Sequence, residues 1–164
     1  MKVYTLERQQ VLPADTEEVF AFFSAPENLG RLTPRWLGFQ FLTPLPLEVR
    51  RGALIEYALH WLGLPLRWTT LITAFEEPHR FVDEQLRGPY SFWHHTHAFR
   101  SVPGGTEMTD AVRYAMPFGP LGRIAHMLVI KRQLARIFDH RGAMVDAIFR
   151  EQSERGPAAG GEGP

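Results

Sequence analysis

The chain has 164 residues, 45% of them apolar, and Lys plus Arg and Asp plus Glu each total 18. That length suffices for one buried core, and the balanced charge provides no basic field for nucleic acid or an anionic membrane surface, so no nucleic-acid partner is expected. Cysteine is absent, which excludes disulfides, thiol nucleophiles and thiolate metal sites.

The opening MKVYTLERQQ lacks the apolar core of a signal peptide, and the longest apolar run, MLVI at 127–130, is far short of a membrane span. A cytoplasmic protein without integral membrane association is expected, as a monomer or homodimer. Residues 2–12 mix β-branched, aromatic and polar side chains up to Pro13 and read as a strand. Asp15, with Glu18 three residues on, makes a capping box for a short helix whose apolar face is Val19, Phe20, Phe22 and Phe23. The Pro- and Gly-rich stretch 27–51 leaves room for one more helical turn and a strand around Phe39 to Leu42.

From Gly52 the apolar period becomes two. Ile55, Tyr57, Leu59 and Trp61 form one face, and LGLP turns the chain into Trp68, Thr70 and Ile72. A strand from Phe81 to Arg87 then turns at Gly88 and Pro89 into SFWHHTHAFR, which turns at Pro103 to Gly105 into Thr106 to Tyr114. After MPFGPLG the period becomes helical, with Leu121, Ile124, Leu128, Leu134, Ile137, Phe138, Val145 and Ile148 recurring at three- and four-residue steps. Basic residues from Arg123 to Arg141 read as its solvated face, and exposed Met127 and Ile130 would favour a dimer. Gly142 inside this helix implies a bend or the close approach of another strand or subunit. Residues 1–150 are expected to form a single domain and 151–164, EQSERGPAAGGEGP, a disordered tail.

This order is α+β: a curved antiparallel sheet of about six to seven strands, two short helices after the first strand, and a long C-terminal helix. The order, together with EEVFAFFSAPENL, FVDEQLRGPYSFWHHTHAF, GGTEMTDAVRY and MPFGPLGRIAH, resembles the SRPBCC or START-like superfamily, and most of all its ligand-binding bacterial members. That superfamily has the helix-grip fold of birch pollen allergen, polyketide cyclases/dehydrases and START lipid-transfer domains. The resemblance implies a cavity between sheet and helix, and, because the fold hosts carriers, cyclases and regulators, it implies no single function.

Strand parity selects the candidate site. Trp93, His95, His97 and Phe99 share one face, leaving His94, Thr96 and Ala98 on the other. The tight turn after Val102 pairs Phe99 with Met108, His97 with Asp110, His95 with Val112 and Trp93 with Tyr114. Across the other turn Asp83 falls near His95, with Gln85 on the same face, whereas a one-residue slip would bring in Val82, Glu84 and Leu86. The expected ligand-binding residues are Tyr57, Trp68, Asp83, Gln85, Trp93, His95, His97, Asp110 and Tyr114, a polar band in an aromatic wall.

Carboxylate to imidazole pairing satisfies such a band, either as a structural network or as the group that orients the polar end of a ligand. Two histidines at i and i+2 can also share an ion with Asp83 or Asp110, but that spacing is common, and no metal or other cofactor is expected. The favoured function is binding of a small, largely hydrophobic molecule (lipid, isoprenoid or polyketide-like) as carrier or sensor. One alternative is a cyclase- or dehydratase-like enzyme with His97 as base and Asp110 orienting it, as the resemblance suggests. The other is an interaction module whose cavity is closed by side chains. The Pro-rich stretch around Trp36 and the segment Met116 to Gly122 are candidate covers for a cavity mouth.

Overall fold

The structure, a computed structural model, describes residues 1–155. Strand β1 (Val3–Leu12) leads into helices α1 (Thr16–Ser24) and α2 (Glu27–Leu32) and a 3-10 turn at Arg35–Leu37. Six strands follow: β2 (Gln40–Phe41), β3 (Leu54–Trp61), β4 (Leu64–Glu76), β5 (Arg80–Arg87), β6 (Phe92–Val102) and β7 (Gly105–Ala115). Helix α3 (Gly119–Ala125), a π-helical stretch (His126–Ile130) and α4 (Lys131–Arg155) run on continuously. Thus α4 takes in residues 151–155, and the rest of the expected tail, 156–164, lies outside the described residues.

The sheet order is β1-β7-β6-β5-β4-β3-β2, antiparallel throughout, so each neighbour from β2 to β7 is also the next in sequence and only β1 is added from a distance. Short turns set the register. Leu62 and Gly63 both have positive φ, the two-residue turn that matches hairpin twist, and it places Tyr57 opposite Trp68. The β6–β7 turn pairs Phe99 with Met108, His97 with Asp110, His95 with Val112 and Trp93 with Tyr114, the pairing read from the turn residues. Asp83 lies opposite His95 on β5, so the one-residue slip does not occur. Gly105 is required here: its φ is +142°, and a Cβ would lie 1.9 Å from the Leu12 carbonyl oxygen.

The buried side chains form two clusters. One joins α1 to the end of α4, with Phe20 packed edge-on to Phe75, Phe81 and Phe99 and backed by Val145 and Phe149. The other, Leu59, Trp68, Tyr90, Trp93, Tyr114, Ile130, Leu134 and Phe138, sits under the first half of the long helix. Asp15 caps α1 as expected, its carboxylate accepting from the Glu18 amide at 2.8 Å. At Gly142 the Gln10 side chain of β1 comes close: its Nε2 donates to the Gly142 carbonyl at 3.2 Å, and a Cβ would lie 3.3 Å from its Oε1.

Two expectations for the long helix are corrected. Met127 is 66% exposed, but Ile130 is fully buried, because it lies one helical turn before Leu134 on the stripe that faces the sheet. Arg141 is not on the solvated face either: it points inward with only 14% of its side chain exposed. No helix among the described residues is long and apolar enough to cross a membrane.

Candidate functional site

Between the two clusters lies a cavity of about 180 Å³. Its walls come from β3 to β6 (Ile55, Tyr57, Leu59, Trp61, Trp68, Trp93), from the helical segment Phe23 to Leu37 with Phe39 and Val49, and from Leu134, Ile137 and Phe138 of α4. Residues flanking Trp36 thus line its wall, although Trp36 itself does not, whereas Met116 to Gly119 border a separate surface depression with Met1, Lys2 and Tyr4. The walls are apolar because the period-two pattern turns alternate residues of each strand inward. One edge is different: Asp83, His95, His97 and Arg141 all reach the cavity there.

These groups form a closed ring with Asp110 behind it. Asp83 Oδ2 lies 2.8 Å from His97 Nε2 and 3.3 Å from His95 Nδ1. The opposite nitrogens face Asp110 Oδ1, His95 Nε2 at 2.8 Å and His97 Nδ1 at 2.9 Å. The His95 contact is a well-aligned hydrogen bond, but His97 Nδ1 approaches at too poor an angle and stays without a partner, despite its distance. The two rings are 3.8 Å apart between centroids, and Phe81 stacks on His97 at 4.1 Å while Phe138 meets His95 edge-on. Arg141 Nε stands 3.7 Å from Asp110 Oδ2, near enough to balance its charge but too far to hydrogen-bond, so it too is unpartnered.

Burial raises the carboxyls of Asp83 and Asp110, yet the imidazoles, with the Arg141 guanidinium beside Asp110, outweigh it and hold both well below the usual carboxylate range. Burial likewise disfavours the His95 imidazolium, but Asp83 and Asp110 prevail and push it up to about 9.

These shifts give stability a sign with pH. His95 is raised from 6.5, so its contribution is complete below about 6.5 and is lost as pH climbs through about 9. Asp83 and Asp110 act in the opposite sense: their contribution is present above about pH 4 and lost only in acid. Thermal unfolding followed from pH 6 to 9.5 should lose roughly 3 kcal/mol. A His95→Asn variant, less stable at pH 6, should show a flatter profile over the same range.

The structure brings Tyr57, Trp68, Asp83, Trp93, His95 and His97 together at the cavity and leaves the other three expected residues off its wall. Gln85 turns back to brace the β5–β6 turn, its Nε2 donating to the Tyr90 carbonyl at 2.8 Å. Asp110 sits behind the histidines, and the Tyr114 hydroxyl lies 2.9 Å from His126 Nε2 under the π-helical stretch. Burial, together with Lys131 and Lys2, holds the His126 imidazole below its ordinary value. His94 lies on the outer face, its Nδ1 2.9 Å from Glu84. Sequence reasoning missed Arg141, although a signal existed: residues 134, 138, 141 and 145 share one helical stripe, in which Arg141 replaces an apolar residue.

No family model matches the chain, and no curated protein sequence matches it. Solved structures do. Protein CV1439 from Chromobacterium violaceum superposes with a TM-score of 0.67 at 14% identity, over 88% of this chain and 96% of that one. The di-domain ARO/CYC StfQ from the steffimycin biosynthetic pathway gives 0.72 at 10% identity over 93% of this chain, which spans 52% of that longer one. Ara h 8.0201 gives 0.57 at 14% identity over 88% and 99%. At such identities the likeness shows the fold alone, and the chain has the helix-grip fold, a seven-stranded antiparallel sheet closed by a long C-terminal helix.

Proposed function

We propose that the protein binds a small, largely apolar molecule in the cavity between sheet and helix and holds its one polar group at the edge formed by Asp83, His95, His97 and Arg141. The observation that carries this reading is Arg141. Its side chain reaches the cavity, and its buried Nε has no acceptor, Asp110 Oδ2 being 3.7 Å away, so the guanidinium keeps unused donor capacity of the kind that costs about 1 to 3 kcal/mol when buried. A carbonyl or similar oxygen on a ligand supplies that acceptor. A volume of about 180 Å³ is small beside drug-sized pockets, which favours a compact ring compound over an extended lipid chain. It also argues against an interior closed by side chains, and so against the interaction-module reading.

Two shape-matched probes test this by calorimetry, 2-acetonaphthone and 2-ethylnaphthalene, which differ in one carbonyl. Both should bind. The ketone's affinity relative to the hydrocarbon should fall roughly tenfold in Arg141→Met, the worth of a hydrogen bond to a charged donor. Absence of binding by either probe, or a ratio unchanged by the substitution, would refute the reading.

A second reading, a cyclase- or dehydratase-like enzyme, draws on His97. Its ring lines the cavity with Asp110 facing Nδ1, and it would act as a general base once a substrate displaced Asp83 from Nε2. Asp110 would orient it, and the name of StfQ is in keeping with such chemistry for that protein. His97→Asn separates the two readings: an enzyme loses turnover with ligand affinity nearly unchanged, while a carrier has no turnover to lose.

A further inference from the structure

The spacing of His95 and His97 alone is too common to indicate a metal, but their surroundings add three constraints. Both cavity-side nitrogens converge on one oxygen, Asp83 Oδ2, at 3.3 and 2.8 Å, and one donor atom from each of the three residues falls within 4.8 Å of the others. An ion about 2.1 Å from each donor would hold adjacent donors roughly 3.0 to 3.4 Å apart, and the two distances to Asp83 Oδ2 already lie close to that range. His95 Nε2 is hydrogen-bonded to Asp110 Oδ1, and His97 Nδ1 lies 2.9 Å from the same oxygen without an aligned bond; an outer carboxylate in this position is what metal-bound histidines commonly use to fix ring orientation. Asp83, His95 and His97 reach the cavity and Asp110 does not, which places the carboxylate backing on the far side from the open space.

We infer that Asp83, His95 and His97 form a two-histidine, one-carboxylate site for a divalent transition metal, with its open coordination positions facing the apolar cavity and Asp110 positioning both imidazoles. A cation there replaces the hydrogens that bridge Asp83 to the two rings. The nitrogen-rich donor set selects zinc, iron, cobalt or nickel over magnesium or calcium. The inference does not depend on an organic ligand entering the cavity, and its test needs none.

Cobalt(II) is the probe, added to the chelator-treated full chain at fixed pH and followed by its visible absorption and by proton NMR with nitrogen-15 histidine labelling. One ion per chain is expected, with hyperfine-shifted ring signals from His95 and His97. Asp83→Asn and His97→Gln should each weaken binding at least 100-fold. Asp110→Asn should weaken it by about 10- to 100-fold while keeping the shape of the cobalt spectrum, as a residue acting through the ligands does. Should a variant fail to fold, the shifted histidine signals of the unaltered chain decide alone. The inference is overturned if cobalt fails to bind stoichiometrically, if magnesium binds as tightly, or if the shifted signals belong to another histidine such as the exposed His79.

Discussion

Replacing Asp110 with alanine is expected to destabilise the protein by about 3 to 5 kcal/mol, as removal of one partner from a buried ionic cluster does. Asp110 is 5% exposed, faces both histidines through one oxygen and Arg141 through the other, and is held ionised by them. Without it the His95 imidazolium keeps only Asp83, and Arg141 loses its nearest negative charge inside the barrier of the α4 helix. Asp110→Asn keeps the shape and one acceptor, so it should lose less. Denaturant titration at pH 6 measures both, and a loss under 1 kcal/mol for the alanine variant would show that Asp110 does not hold the ring together.

Phe20→Ala should cost a similar amount, about 3 to 5 kcal/mol, for a different reason. Its ring is 1% exposed and packs edge-on against Phe75, Phe81 and Phe99, so truncation opens a void that four neighbouring elements cannot close. Phe20 does not line the cavity, and the folded variant should bind 2-acetonaphthone with nearly unchanged affinity. Chemical unfolding and calorimetry on the same preparation check both halves. A small stability loss, or a large affinity loss, would mean that the two clusters are not separate.

Much of this arrangement is legible in the sequence for a local reason. The turn at Pro103 to Gly105 is short enough to fix which residues face each other, so the pairing of His97 with Asp110 follows from counting, while parity puts Tyr57 and Trp68 on one inner face, where they prove to be directly opposite. Parity then puts His95 and His97 inside and His94 outside, as found. What was not legible depends on contacts distant in sequence. Gln85 has the right parity but bonds to the Tyr90 backbone, and Tyr114 spends its hydroxyl on His126, a partner made available by the π-helical stretch. Ile130, by contrast, was legible as interior, since it stands four residues before Leu134 on the buried stripe. Arg141 was hidden by the habit of reading basic residues as solvated, though its position on the apolar stripe marked it as inward.

The direct measurement for the central claim is an NMR map of 2-acetonaphthone bound to the full chain. Intermolecular NOEs from the naphthyl ring to Trp68, Trp93 and Phe138, with the Arg141 side-chain Nε–H resonance shifted by the ketone and not by 2-ethylnaphthalene, are the result predicted here. NOEs confined to the exposed apolar residues of the long helix, such as Leu121 and Met127, would contradict it, because the probe would then lie on the surface and the cavity would be empty of it.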